Sequence, residues 1–116
     1  MSLDIGKRGE DLAVEYLTKK GMLIIDRNYR IPMGEIDIIA VEGDILVFIE
    51  VKTRSSDAFG APSEFVSPDQ RRRIICTAEI YMKTKNLTDM QPRFDVCEIY
   101  SNSGDINYLD NAFPYV

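Results

Sequence analysis

Two acidic residues and a lysine stand where apolar residues dominate. Glu50-Val51-Lys52 closes the run Leu46-Val47-Phe48-Ile49, and Asp37 interrupts a second run, Glu35-Ile36-Asp37-Ile38-Ile39. Strand side chains alternate, so Glu35 and Asp37 share one face, as do Glu50 and Lys52. Glu42-Gly43-Asp44 reads as a tight hairpin turn, which sets the two runs side by side and lets one acid from each meet across the ladder. Two carboxylates at an apolar strand centre cost several kcal/mol each unless a cation neutralises them. Lys52 supplies one positive charge, and the remainder invites a hard divalent ion, Mg²⁺ or else Mn²⁺. Held by Asp37, Glu50 and the Val51 carbonyl, such an ion would polarise a phosphate oxygen and lower the pKa of a water. Lys52 would orient that water or stabilise the charge on phosphorus. Glu10, on a helix ahead of the strands, would reach the same pocket and hold a second ion or its water. Glu35 supports these ligands from behind or lies at the surface. A plainer reading stands beside this one: Glu-Val-Lys is a common tripeptide, and Glu50 and Lys52 can be an exposed pair on an edge strand.

The rest of the composition narrows the chemistry. The 116 residues fit one domain spanning 1–116, with a 45% hydrophobic and 28% charged make-up typical of a folded soluble chain. There is no histidine. That excludes Ser-His-Asp triads, Cys-His pairs and histidine-bearing zinc sites. The net charge of −5, from 14 basic and 19 acidic residues, speaks at first against a polyanionic partner. Four of those acids, however, are the pocket candidates Glu10, Glu35, Asp37 and Glu50, and two bound Mg²⁺ would return about +4. Cys76 and Cys97 lie among apolar neighbours and read as packed thiols of a reducing compartment. No apolar run reaches the ~18 residues of a membrane span, and the first residues lack a signal-peptide pattern. The expectation is a cytoplasmic protein without a membrane partner.

The elements that must position these groups follow from periodicity. A helix is expected from about Asp4 to Lys20, stopped by Gly21, with Ile5, Gly9, Leu12, Ala13, Tyr16 and Leu17 on its core face. Glu10 falls at the border of that face. Strands are expected over 22–27, 35–41 and 45–53, followed by an irregular stretch from Thr53 to Val66 that contains Phe59-Gly60. A second helix starts with Ser67 as N-cap, Pro68 in the first position and Gln70 completing a capping box. Its core face is Ile74, Ala78, Tyr81 and Met82, with Ile75 at the edge, and it ends near Lys85. Strands over 94–100 and 106–109 flank the turn Asn102-Ser103-Gly104-Asp105. The order α-β-β-β-α-β-β predicts an α/β (α+β) fold, one sheet flanked by helices.

Asp37…Glu50-Val51-Lys52 resembles the motif of the restriction-endonuclease-like, or PD-(D/E)XK, nuclease superfamily. Glu10 ahead of it looks like the arrangement in archaeal Holliday-junction resolvases. More closely, residues 5–113 resemble the YraN-like uncharacterised family of small bacterial proteins. The matching pieces are Gly6-Lys7-Arg8-Gly9-Glu10, Arg27-Asn28, Gly34-Glu35-Ile36-Asp37, Phe48-Ile49-Glu50-Val51-Lys52-Thr53-Arg54, Phe59-Gly60, Arg72-Arg73, Arg93-Phe94-Asp95 and Asn111-Ala112-Phe113. The resemblance implies an αβββαβ core with a mixed sheet, a divalent-metal site and nucleic-acid binding, and implies no established substrate. Two departures stand out. Ile36-Asp37 replaces the superfamily's nominal Pro-Asp, leaving the acid in place. Gln70 stands where the family often has lysine, so this position can hydrogen-bond a phosphate and cannot neutralise one.

Basic residues cluster near these pieces. Lys7, Arg8, Arg54, Gln70, Arg71 and Arg73 are the candidate nucleic-acid contacts, helped by the free N–H groups that open the second helix. The three consecutive arginines fan out, so at most two face one ligand, and Arg72 also suits a solvated helix face. Phe59 either stacks on a base or anchors its loop to the core. The expected function is a Mg²⁺-dependent endonuclease acting on branched or structured DNA, with a homodimer suggested by analogy alone. Its rivals are a nucleic-acid-binding module with the same fold and no turnover, and a protein-interaction domain with an incidental acidic hairpin.

Overall fold

The computed structural model describes residues 5–54 and 66–115, the side chains of residues 5–7 excepted. Helix α1 (Ile5–Lys19) is followed by β1 (Leu23–Ile31), β2 (Gly34–Glu42) and β3 (Ile45–Arg54). Helix α2 (Pro68–Thr84), β4 (Gln91–Tyr100) and β5 (Ile106–Phe113) complete the order. The five strands form one sheet in the order β1-β2-β3-β4-β5. Only β3 and β4 run parallel, because α2 carries the chain from the end of one back to the start of the other. The other three pairings are antiparallel, which makes the sheet mixed, as expected.

Each face of the sheet is closed by one helix. On one face Ala13 and Leu17 of α1 pack with Ile38, Ala40, Val47, Ile49 and Ile99. On the other, Ile74, Ala78, Tyr81 and Met82 of α2 pack with Ile39, Leu46, Phe48, Phe94 and Phe113. The central strand β3 is covered on both faces, which is why its sequence reads as an unbroken apolar run rather than an alternation. Charged residues appear on it only from Glu50 onward, near its end.

Both predicted helices are present. Gly21, with φ of +92°, follows α1 in the left-handed conformation that glycine adopts without strain. Ser67 Oγ accepts from the Gln70 N–H at 3.2 Å, so the N-cap is as expected. The other half of the capping box is a correction: the Gln70 side chain leaves the cap and donates to Glu50. Ile75, expected at the edge, is buried, and Thr77 joins it with its hydroxyl donating to the Arg73 carbonyl at 2.7 Å. Every strand is longer than expected, β2 and β3 by no more than a residue at either end and the other three by more. The first continues past Arg27 to Ile31, β4 begins at Gln91, and β5 runs to Phe113. The irregular stretch expected to hold Phe59 falls mostly on residues 55–65, outside the described residues. Among the described residues, no helix is long and apolar enough to cross a membrane.

Candidate functional site

The hairpin ladder between β2 and β3 starts at Glu42–Ile45 and stops at Ile38–Ile49, although both strands continue. Beyond that point the end of β2 stays with β1, through Tyr29–Ile36, Arg30–Glu35 and Ile31–Gly34. The end of β3 stays with β4 as far as Arg54–Tyr100. The sheet therefore forks, and Asp37 and Glu50 are the first residues past the split. Ile36 packs on the α2 side and Ile38 on the α1 side, two residues apart, so strict alternation breaks at Asp37. Asn28, lying opposite between the pairs Arg27–Ile38 and Tyr29–Ile36, has φ of +53°, a conformation that asparagine tolerates better than most residues. This local twist turns the Asp37 carboxylate into the fork, where Oδ2 accepts the Val51 N–H at 2.8 Å. A side chain thus takes the place of the missing ladder bond.

Glu50 reaches the same gap from β3. Its Oε1 accepts from Gln70 Nε2 at 3.4 Å and lies 3.7 Å from Lys52 Nζ. Burial pushes the Asp37 carboxyl up to about 6 and the Glu50 carboxyl up to about 7. The charge of Asp37 raises Glu50 further, and Glu10 and Glu35 both add to the repulsion on Asp37. Lys52 relieves both carboxyls, and the Val51 N–H relieves Asp37, without restoring either to its ordinary range. The fork is short of positive charge.

That shortage tests whether a divalent ion suits the site. Among the described residues, no three carboxylate or thiol side chains converge as a ready-made ion cage. Mg²⁺ asks for less, being commonly bound by one or two carboxylates while keeping several waters. Within a strand a residue's N–H and C=O point to the same side, so the Val51 carbonyl faces the fork with the N–H that Asp37 accepts. Asp37, Glu50 and the Val51 carbonyl are hard oxygen donors around one gap, and they fit such an ion.

The remaining predicted residues divide. Glu10 is largely buried at the rim of α1, where its Oε1 lies 3.7 Å from Arg27, and its field reaches Asp37. Glu35 is exposed and pairs with Arg30 at 2.7 Å. Gln70 and Arg73 line a cavity of about 280 Å³ together with Glu35 and Glu50. Arg8 lines a different cavity, of about 210 Å³, with Thr53 and Ser101. The Lys7 side chain lies outside the described residues. Two arginines are not brought to the fork. Arg54 Nε donates to the buried Glu98 carboxylate at 3.0 Å. Arg71 Nε donates to the Val66 carbonyl at 2.8 Å, with its guanidinium over the Phe113 ring. Arg72 pairs with Asp69 on the solvated side of α2, so of the three consecutive arginines only Arg73 faces the cavity.

The match to known sequences follows the same boundaries. The model of Uncharacterised protein family UPF0102 matches residues 9–99, which span the helix glutamate, the fork and α2. The chain belongs to this family. A UPF0102 protein of Dictyoglomus turgidum is 49% identical over 114 residues, covering 95% of this chain and 97% of its own. A UPF0102 protein of Clostridioides difficile is 47% identical over 108 residues, covering 93% and 95%. UPF0102 falls within the restriction-endonuclease-like superfamily, in keeping with the mixed sheet and its two helices. A solved structure of SfsA from Pyrococcus furiosus in complex with Ca²⁺ is similar at a TM-score of 0.35 and 17% identity. That alignment covers 91% of this chain and 62% of the other, so this chain spans less than two-thirds of SfsA.

Sequence reasoning gave no role to two buried acids of the UPF0102 chain outside the fork. Asp95 accepts from Arg93, the Tyr108 hydroxyl and the Asn111 N–H. Glu98 accepts from Arg54 and Asn107. Asp95 lies in the matched piece Arg93-Phe94-Asp95, two residues from its partner Arg93, which was the signal available; Glu98 lies in none of the matched pieces. Nothing in the sequence indicated that Glu98 meets Arg54, 44 residues away.

Proposed function

We propose that this UPF0102 protein is a divalent-metal-dependent phosphodiesterase, an endonuclease of branched or structured DNA. The observation that carries this reading is the fork: two half-buried carboxylates from adjacent strands, both raised by burial and Glu50 further by Asp37, with a single lysine beside them. Such a site is destabilised when empty and charged, and is relieved by a small cation. Mg²⁺ or Mn²⁺ bound there would polarise a phosphate oxygen and make water a better nucleophile at neutral pH.

The chain's own groups supply the rest. Asp37 is fixed by the Val51 N–H, so its orientation is set before any ligand arrives. Gln70 holds Glu50 from α2 and fixes the second carboxylate in the same way. Lys52 stands on the same side of β3 as Glu50, with its ammonium partly exposed. There it orients the attacking water by a hydrogen bond and offsets the negative charge that builds on phosphate. Glu10 adds negative potential at the α1 side of the gap. With no histidine in the chain, proton transfer falls to water and to these groups.

The test uses single-stranded, linear duplex, flapped and four-way-junction DNA with Mg²⁺ or Mn²⁺. Metal-dependent cleavage, lost in both Asp37→Ala and Lys52→Ala, is the expected result. Binding without cleavage would mean a nucleic-acid-binding module, and no binding at low salt would remove nucleic acid from the account.

A further inference from the structure

The turn joining β1 to β2 consists of Pro32 and Met33, and Met33 is 48% exposed. The residue that follows is pressed against α2. A Cβ on Gly34 would stand 2.9 Å from Thr77 Oγ1 and 3.5 Å from Arg73 Cβ, so a larger residue would lever the turn off the helix. The methionine is therefore held at a fixed place. It forms one wall of the 280 Å³ cavity that Glu50 shares, with Ile74, Gln70, Arg73 and Glu35 around it.

The arginine in that wall differs from most others. Arg27, Arg30, Arg54, Arg72 and Arg93 each meet a carboxylate, and Arg71 meets the Val66 carbonyl. Among the described residues, the Arg73 guanidinium has no such partner. The cavity thus combines an exposed thioether, an unpaired planar cation and an amide, directly beside Glu50. A phosphate placed there would face Glu35 and Glu50 with one arginine to hold it, which is unfavourable. A neutral ring suits the site better: thioether and guanidinium both pack on a flat π-face, while Gln70 and Glu35 offer groups to its hydrogen-bonding edge.

Resting on the nuclease reading, we propose that this cavity receives one unpaired nucleobase of the DNA, packed on Met33 and Arg73 beside the phosphate engaged at Glu50 and Lys52. A base in an intact duplex must be extruded first at a cost of a few kcal/mol, whereas a base already unpaired avoids most of it. The site therefore favours DNA carrying an unpaired nucleotide at a bulge, gap or branch over a continuous duplex.

The experiment measures binding by the Lys52→Ala protein in Mg²⁺, where cleavage does not intervene. The two DNAs compared are a continuous duplex and the same duplex with one unpaired nucleotide. The bulged DNA should bind about tenfold more tightly, and Met33→Ser should bring the ratio close to one, the loss expected from one packing contact. Affinity for continuous duplex and the melting temperature should not move, because Met33 is exposed. Met33→Leu should keep the preference. Equal affinity for the two DNAs, or a preference unchanged in both Met33→Ser and Arg73→Ala, would overturn this proposal alone. Failure to bind either DNA would overturn the nuclease reading with it.

Discussion

Two acidic clusters of this chain, a few strands apart, are built on opposite terms. Asp95, fully buried between β4 and β5, is surrounded by donors from its own chain: Arg93 at 3.0 and 2.9 Å, the Tyr108 hydroxyl at 2.5 Å and the Asn111 N–H at 2.9 Å. The pairing pushes the Arg93 guanidinium upward, and burial followed by the bond to Asp95 does the same for Tyr108. At the fork, Asp37 and Glu50 have one backbone N–H, one amide and one lysine between them, and both carboxyls are pushed up. The comparison separates structure from function. A buried acid whose lone pairs are filled by the protein holds the fold together, and a pair left short of positive charge suits something that arrives from outside.

The largest effect is expected in the satisfied cluster. Asp95→Ala would take from Arg93 its two-point carboxylate partner, leaving it Glu42 alone, and strand the Tyr108 hydroxyl, costing about 3–5 kcal/mol of stability in denaturant unfolding. An unfolding free energy within 1 kcal/mol of the parent would show that the two clusters are not built differently. At the fork, Lys52→Ala should lower turnover by about 10²–10³-fold while leaving ion binding in place, because lysine stabilises charge and ligates nothing. If ion affinity falls in step with turnover, its role is to hold the carboxylates and not to assist the reaction.

A third test has the opposite sign in stability. The folded-state pKa values of Asp37 and Glu50, about 6 and about 7, lie above their ordinary values of 3.8 and 4.5. Their stabilisation is therefore complete below about pH 4 and is lost as pH rises through 6 to 7. Asp37→Asn, which can still accept the Val51 N–H, should stabilise the ion-free protein by roughly 2 kcal/mol at pH 8 and by nothing at pH 4, read from melting curves. A variant less stable than the parent at pH 8 would show that the carboxylate charge is already well compensated. The smallest effect belongs to the surface: Arg30→Gln breaks an exposed pair with Glu35 and should change stability by less than about 0.5 kcal/mol.

How much of this was legible in the sequence depends on the range over which each feature is determined. Asp37, Glu50 and Lys52 were readable because strand alternation, a glycine turn and charges inside apolar runs are local signals. Ser67-Pro68 and Gly21 marked helix ends for the same reason. The twist that aims Asp37 was not readable. Asn28 adopts positive φ inside a strand that was expected to end at Arg27, where the apolar run from Met22 stops. Pro32-Met33 lacks the glycine or asparagine that announces a hairpin, so the cavity wall it forms did not emerge. Gln70 was read both as a capping residue and as a phosphate contact; its side chain does reach the site, and its hydrogen bond to Glu50 depends on a position only the folded sheet defines. Arg54 looked like a free cation because its carboxylate partner Glu98 lies 44 residues away.

The central claim, that the fork carboxylates hold a divalent ion, is tested most directly by calorimetric titration of Mn²⁺ into the protein without nucleic acid. Binding is expected at pH 8, with loss at pH 5 as protons occupy Asp37 and Glu50, and loss at pH 8 in Glu50→Gln. Binding of equal strength in Glu50→Gln, or at pH 5, would contradict the account.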